Sequence, residues 1–316
     1  MNVENIRRIA VVGAGLMGHG IAQEFALAGY DVRLHDRNDE LLQIALGDIR
    51  GNLARLASPL GLTPERIDDA LARITASPEL DEVVKDADLV VEAIYEDLPA
   101  KHQLLRSLER LCRPEAILAS NTSSFMPSRL AEALSCPERL LVTHYFNPPY
   151  LIPLVEIVPS PRTAKENVEA VIQLLERIGK KPVLLHREAT GFVANRLQLA
   201  LYREALAIVE QGIAEPEAVD QVVRYGFGRR LAVAGPIEVF DLAGLDTILA
   251  VAGQILPSVA EVAASGPIVP ESLRQNVAHG RLGVKSGQGF HTWTPENAEE
   301  LRRRLTLALV RAASHP

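Results

Sequence analysis

Ile9-Ala10-Val11-Val12-Gly13-Ala14-Gly15-Leu16-Met17-Gly18 is the stretch whose reading decides the fold. Four apolar residues make a buried strand. The glycines then turn the chain into a helix whose Ile21, Phe25 and Ala28 share one face. Gly29 closes that helix, and Val32 to His35 reads as a second strand that delivers Asp36 at its end. Strand, glycine loop, helix and strand in this order predict a parallel βαβ unit. A glycine-rich turn alone is a weak sign; the flanking elements and the acidic residue give it meaning.

Each loop residue then has a physical task. Gly13 permits the tight turn, Gly15 lets backbone approach a pyrophosphate, and Gly18 lets helix and strand pack closely. Ala14, Leu16 and Met17 complete the loop, and the helix N-terminus offers unpaired N–H groups to a phosphate. Asp36 stands where a carboxylate accepts both ribose hydroxyls and repels a 2′-phosphate, so NAD is the expected cofactor. Arg37 beside it leaves NADP as the alternative.

Working outward, the alternation continues. Leu89 to Ala93, Ile117 to Ala119, Leu140 to His144 and Val183 to Leu185 read as further strands. Helical spacing fills Asp39 to Ala57, Pro64 to Ala72, Pro99 to Leu111, Ser128 to Leu134 and Ala164 to Ile178. The prediction is a Rossmann-type doubly wound sheet with helices on both faces. Beyond Gly191 the pattern turns helical throughout, over Phe192 to Ile213, Ala218 to Tyr225 and Gly235 to Leu256. Residues 1–188 are therefore expected to form the dinucleotide-binding domain. Residues 189–316 are expected to form an all-α domain, with a hinge over His186 to Gly191.

Bulk properties narrow the function classes. With 316 residues, about two domains are expected. Apolar residues make up 47% and charged residues 23%, which excludes disorder as the main state. No apolar run reaches the roughly 20 residues of a membrane span. The start, Met1-Asn2-Val3-Glu4-Asn5, carries no leader pattern, so a soluble, cytoplasmic protein is expected. A net charge of −7 argues against a nucleic-acid partner. Cys112 and Cys136 make neither a disulfide framework nor a four-thiolate zinc site, and no metal is expected. The partner expected is a small molecule.

Several ordered segments carry a resemblance. Gly13 to Gly18, Val91-Glu92-Ala93-Ile94-Tyr95-Glu96, Ser120-Asn121-Thr122-Ser123-Ser124, His144-Tyr145-Phe146-Asn147-Pro148 and Gly191-Phe192-Val193-Ala194-Asn195-Arg196 resemble the L-3-hydroxyacyl-CoA dehydrogenase family. The match continues into Gly280 to Phe290. The block Asn147 to Glu156 is closer to a side branch of that family, typified by lambda-crystallin (an L-gulonate dehydrogenase) and by carnitine dehydrogenase. The resemblance implies NAD-dependent oxidation of a 3-hydroxy group and, with the long apolar helices of the second half, a homodimer through that half.

The residues fit such chemistry. His144 ends an apolar strand at the edge where these sheets bind ligands, and imidazole suits removal of a hydroxyl proton near neutral pH. Glu156 mirrors His144 about Tyr150, so a loose hairpin returns its carboxylate beside the ring, where it fixes the tautomer. The resemblance implies that Ser123 and Asn195 hydrogen-bond the substrate oxygen. It likewise implies that Ser123, Glu96, Lys101 and Asn147 border the ribose and nicotinamide. For Ser123 and Asn195 helix capping is the plain alternative, and for Lys101 a solvated helix charge.

One departure concerns the substrate. Family members that use CoA carry a serine and a lysine on the helix after the second strand; by spacing, this chain has Asn52 and Pro59 there. Arg50 and Arg55 are alternative phosphate contacts, but five residues apart on a helix they diverge by roughly 140°. A short-chain 3-hydroxyacyl-CoA is the leading expectation, supported by the segment Lys285 to Phe290. A free hydroxy compound such as L-gulonate or L-carnitine is the alternative, and a non-catalytic NAD(H)-binding structural protein is the rival from another class.

Overall fold

The computed structural model describes residues 3–259, 271–301 and 303–304. The chain divides into two compact units, Met1–Arg196 and Leu197–Pro316. The predicted boundary at 188/189 falls between the last strand and the helix Ala194–Glu210.

The first unit is built on eight strands. They are β1 (Arg8–Val12), β2 (Asp31–His35), β3 (Ile74–Ser77), β4 (Leu89–Glu92), β5 (Ile117–Ser120), β6 (Leu140–Tyr145), β7 (Leu154–Pro159) and β8 (Lys181–Leu184). Their order is β3-β2-β1-β4-β5-β6-β7-β8. From β3 to β6 every pairing is parallel. Alternate residues of one strand enter opposite cores. Ile9 and Val11 pack with Phe25, Leu42 and Ile49 on one face; Ala10 and Val12 pack with Leu105, Leu108 and Leu130 on the other. A strand buried on both faces must be apolar throughout, hence the unbroken Ile9 to Val12 run. Between β1 and β4 the winding reverses, which opens a crevice at the carboxyl ends of the strands.

Three differences from the sequence reading have physical reasons. β7 runs antiparallel to β6 in a five-pair ladder, so the expected loose hairpin is a regular one. Its β-branched run Val155, Ile157, Val158 is buried, as a strand between two neighbours requires. The helix expected from Phe192 starts at Ala194, because Gly191 and Phe192 hold φ of +75° and +49°. The helix expected over Gly235 to Leu256 is two, Pro236–Ala243 and Leu245–Ile255, bent by 109° at Gly244.

The second unit is helical. A small apolar cluster of Ala234, Trp293, Ala298 and Leu301 surrounds a fully buried carboxylate, Asp241. Asp241 accepts from the backbone N–H groups of Phe290 and His291 and from Trp293 Nε1, at 3.1, 2.8 and 2.9 Å. Among the described residues no single helix is long and apolar enough to cross a membrane.

Candidate active site

The carboxyl edge of the sheet gathers the candidate residues. Gly13 takes φ +102°, and a Cβ there would lie 2.6 Å from the Ala93 carbonyl oxygen. A Cβ at Gly18 would lie 1.7 Å from the Gly13 oxygen, so the turn closes only without side chains. Gly15, by contrast, faces open space. Asp36 is held by its own turn: Oδ2 accepts from Ala14 N–H and Oδ1 from Arg37 N–H, both at 2.8 Å. The lone pairs that remain point to a ribose acceptor role. Among the described residues no protein acceptor engages the N–H groups of Gly15, Leu16 or Met17. A tight glycine turn, free N–H groups and an anchored carboxylate fit a dinucleotide pyrophosphate and ribose.

His144 and Glu156 are direct cross-strand partners on β6 and β7. Both are buried, at 5% and 2% exposure, so their contact is shielded from water. His144 Nδ1 lies 2.8 Å from Glu156 Oε2. The other oxygen, Oε1, accepts from the N–H groups of Val193 and Ala194, each at 2.9 Å, and thereby caps the helix Ala194–Glu210. Burial pushes the Glu156 carboxyl up, but the bonds from His144, Ala194 and Val193 outweigh it and hold it below the usual range. Glu156 is therefore ionised at neutral pH and has no proton to donate, so Nδ1 carries the hydrogen. Nε2, which no described residue engages, is left for a ligand. Phe146 and Phe192 stand against the imidazole, with ring centroids 4.6 and 5.4 Å away.

Ser123 lies exposed in the loop after β5, and Asn195 Nδ2 donates to its backbone carbonyl at 3.3 Å. Asn195 directly follows the two residues that bind Glu156, so one turn links Ser123, Asn195 and Glu156 to His144. The Ser123 loop is shaped by Glu96, which accepts from Thr122 Oγ1, from Ser123 and Ser124 N–H, and from Ser124 Oγ. Burial raises the Glu96 carboxyl, and these hydroxyl and N–H donors with Lys101 bring it below its ordinary value. Lys101 is fully buried, which excludes the solvated-charge reading. Its Nζ lies 2.6 Å from Glu92 and 3.4 Å from Glu96. Asn147 is exposed just past β6 and precedes a cis peptide bond to Pro148.

Sequence reasoning missed Glu92, whose second oxygen accepts from Ser120 Oγ, and it missed the buried Lys180. Each had a signal: a charge inside or beside an apolar strand demands a buried partner. Lys180 Nζ reaches Glu24 at 2.6 Å and the Pro149 carbonyl. It thus ties the loop between β6 and β7 to the helix Gly18–Leu27. Asn52, at the position of the family's serine, is 3% exposed and accepts from Arg55.

Comparison with known proteins places these features among relatives. The family described as "3-hydroxyacyl-CoA dehydrogenase, NAD binding domain" matches residues 8–189, and "3-hydroxyacyl-CoA dehydrogenase, C-terminal domain" matches residues 191–293. A probable 3-hydroxybutyryl-CoA dehydrogenase of Bacillus subtilis is 38% identical over 91% of this chain and 98% of its own. An L-carnitine dehydrogenase of Oceanobacillus iheyensis is 38% identical over 76% of each chain. Among solved structures, a 3-hydroxyacyl-CoA dehydrogenase from Archaeoglobus fulgidus has a TM-score of 0.79 at 33% identity, covering 97% of this chain and 99% of its own.

Proposed function

This chain belongs to the 3-hydroxyacyl-CoA dehydrogenase family, and from that premise we propose that it oxidises the 3-hydroxy group of a short-chain L-3-hydroxyacyl-CoA to the 3-keto form. The observation that carries the reading is the buried His144–Glu156 pair on the same carboxyl edge of the sheet as the glycine loop of an NAD-binding domain. Glu156 fixes the imidazole tautomer and stabilises the cation formed when Nε2 takes the hydroxyl proton. The glycine loop Gly13 to Gly18 and Asp36 would hold NAD, which would supply the hydride acceptor for the carbon that bears this hydroxyl. Ser123 Oγ and the second N–H of Asn195 hydrogen-bond the developing carbonyl oxygen; the first N–H of Asn195 is spent on the Ser123 carbonyl. In the reductive direction His144 returns the proton. Glu96 and Lys101 shape the loop that borders the nicotinamide ribose, and Asn147 lines its other side.

A second reading has a specific observation in its favour. Asn52 stands where the family has its serine, is buried and accepts from Arg55, and the helix Asp39–Leu60 carries no lysine for the 3′-phosphate of CoA. A free hydroxy compound, L-gulonate or L-carnitine, needs no such contact. NADH formation followed by absorbance over a panel of L-3-hydroxybutyryl-CoA, L-3-hydroxybutyrate, L-gulonate and L-carnitine separates the two. A kcat/KM highest for the thioester is expected; turnover of a free compound with none of the thioester would reassign the substrate.

The same proposal includes a homodimer formed through the helical second unit and a cytoplasmic location, the latter checked by cell fractionation. Leu199, Leu206 and Val222 are 63%, 62% and 64% exposed, an apolar display that a second copy would cover.

A further inference from the structure

Among the described residues Phe192 alone, glycines aside, has a positive φ, at +49°, and it follows Gly191 at +75°. L side chains rarely adopt that conformation, and it persists only where the surroundings over-determine it. Glycine adopts it freely, so a phenylalanine here signals that the ring itself is required. The ring is 1% exposed, shares an apolar cluster with Val142, Val158 and Leu185, and lies 5.4 Å from the His144 imidazole at a tilt of 56°. The backbone has a second task. Immediately after Phe192, the N–H groups of Val193 and Ala194 converge at 2.9 Å on one oxygen of Glu156. Successive N–H groups after a left-handed residue form a concave anion site, and here the anion is the carboxylate that orients His144.

We propose that Phe192 is a positioning residue for the acid–base pair, with two separable parts. Its left-handed backbone aims two N–H donors at Glu156, and its ring fixes the plane of the imidazole. The inference rests on His144 and Glu156 acting as the acid–base pair. The groups that face Glu156 are His144 across β6, uncharged Val183 across β8, and the two N–H donors, so His144 is the titratable neighbour that a pH readout must consider.

Two variants separate the parts. Phe192→Gly keeps the conformation and removes the ring; Phe192→Val keeps apolar bulk but is β-branched and unsuited to positive φ. The readout that needs no substrate is the downfield Nδ1–H proton of His144, followed by NMR on the full chain labelled with 15N-histidine. In Phe192→Val, Glu156 loses its N–H donors, its carboxyl rises, and the signal is lost at a pH about one unit higher. In Phe192→Gly that pH limit stays, while the signal broadens and kcat falls about tenfold with KM for NAD unchanged. If both variants keep the wild-type signal and kcat and lose only melting temperature, Phe192 is core filling and the inference is wrong. Should Phe192→Val not fold, Phe192→Gly decides alone: wild-type signal and kcat overturn the proposal. A His144→Ala variant with normal turnover would instead refute the acid–base reading, whatever the Phe192 variants show.

Discussion

At the scale of single residues, the proposed chemistry rests on His144, with Glu156 setting the state of its ring. His144→Ala is expected to lower kcat by roughly 10²–10⁴, the usual contribution of a positioned acid–base group, with NADH binding retained in a fluorescence titration. Glu156 adds a stability signature whose sign follows from its depressed carboxyl. Burial works against ionisation there, but the His144, Ala194 and Val193 bonds win, so the native chain binds fewer protons at this site than the unfolded one. The stabilisation is fully present above about pH 4.5 and is lost as pH falls through the native value. Glu156→Gln is therefore expected to cost about 1–3 kcal/mol at pH 7, read from urea unfolding, and the gap should narrow below pH 4. A gap that stays constant with pH would contradict the assignment. His144 and Glu156 were legible in the sequence because a strand end and a Pro-Pro turn imply their meeting. The contacts of Glu156 with Val193 and Ala194 were not, since residues 37 and 38 apart in sequence share no periodic pattern.

Among elements, the glycine loop and its helix were readable because strand and helix periods change sharply at Gly13. The strand β3 was not: Ile74–Ser77 is short, half-exposed at the sheet edge, and too weakly apolar to stand out. Nor was the clasp between the helix Gly18–Leu27 and the loop over residues 146–153, which depends on a cation from the far end of the sheet. A Cβ at Gly20 would lie 2.6 Å from Pro149 Cγ, and beside that contact Lys180 is buried against Glu24 and the Pro149 carbonyl. Burial raises the Glu24 carboxyl more than Lys180 lowers it. Lys180→Met thus strands a largely buried carboxylate, a loss of at most about 3–5 kcal/mol, the range for removing one partner of a buried pair. The native carboxyl is raised here and depressed at Glu156, yet the penalty of the substitution again shrinks with acid. Without its cation Glu24 is raised further and takes up a proton in the native state, so the penalty in unfolding free energy should be smaller at pH 5 than at pH 8. Lys180→Met combined with Glu24→Gln should recover most of the stability at pH 8; failure to recover would show that the pair is not coupled.

For the whole molecule, length and the shift from alternating to helical periodicity made two bodies legible, but the meaning of the C-terminal motif was not. Lys285 to Phe290 reads as support for CoA, yet in the structure this segment and the preceding Gly283 wrap Asp241: a Cβ at Gly283 or at Gly289 would lie 2.2 Å from an Asp241 oxygen. Lys285 itself pairs with Asp246 and Thr247 at 2.9 and 3.0 Å. The motif thus closes the helical unit around a buried carboxylate, and spacing alone carries no sign of a partner about forty residues upstream. That unit also has the weaker interior. Its described apolar cores are small, while Leu199, Tyr202 and Leu206 recur at helical spacing on an exposed face of the helix Ala194–Glu210. Burying that stripe against a second copy removes apolar surface from water at about 25 cal/mol per Å², and a two-fold contact is the commonest way to do so. Light scattering at micromolar concentration is expected to give twice the chain mass. Leu199→Arg, which sets like charges against each other across a two-fold axis, should yield the monomer mass with the glycine loop and the His144–Glu156 pair unaltered. A wild-type monomer at that concentration, or a Leu199→Arg variant that remains dimeric, would place the contact elsewhere or abolish it.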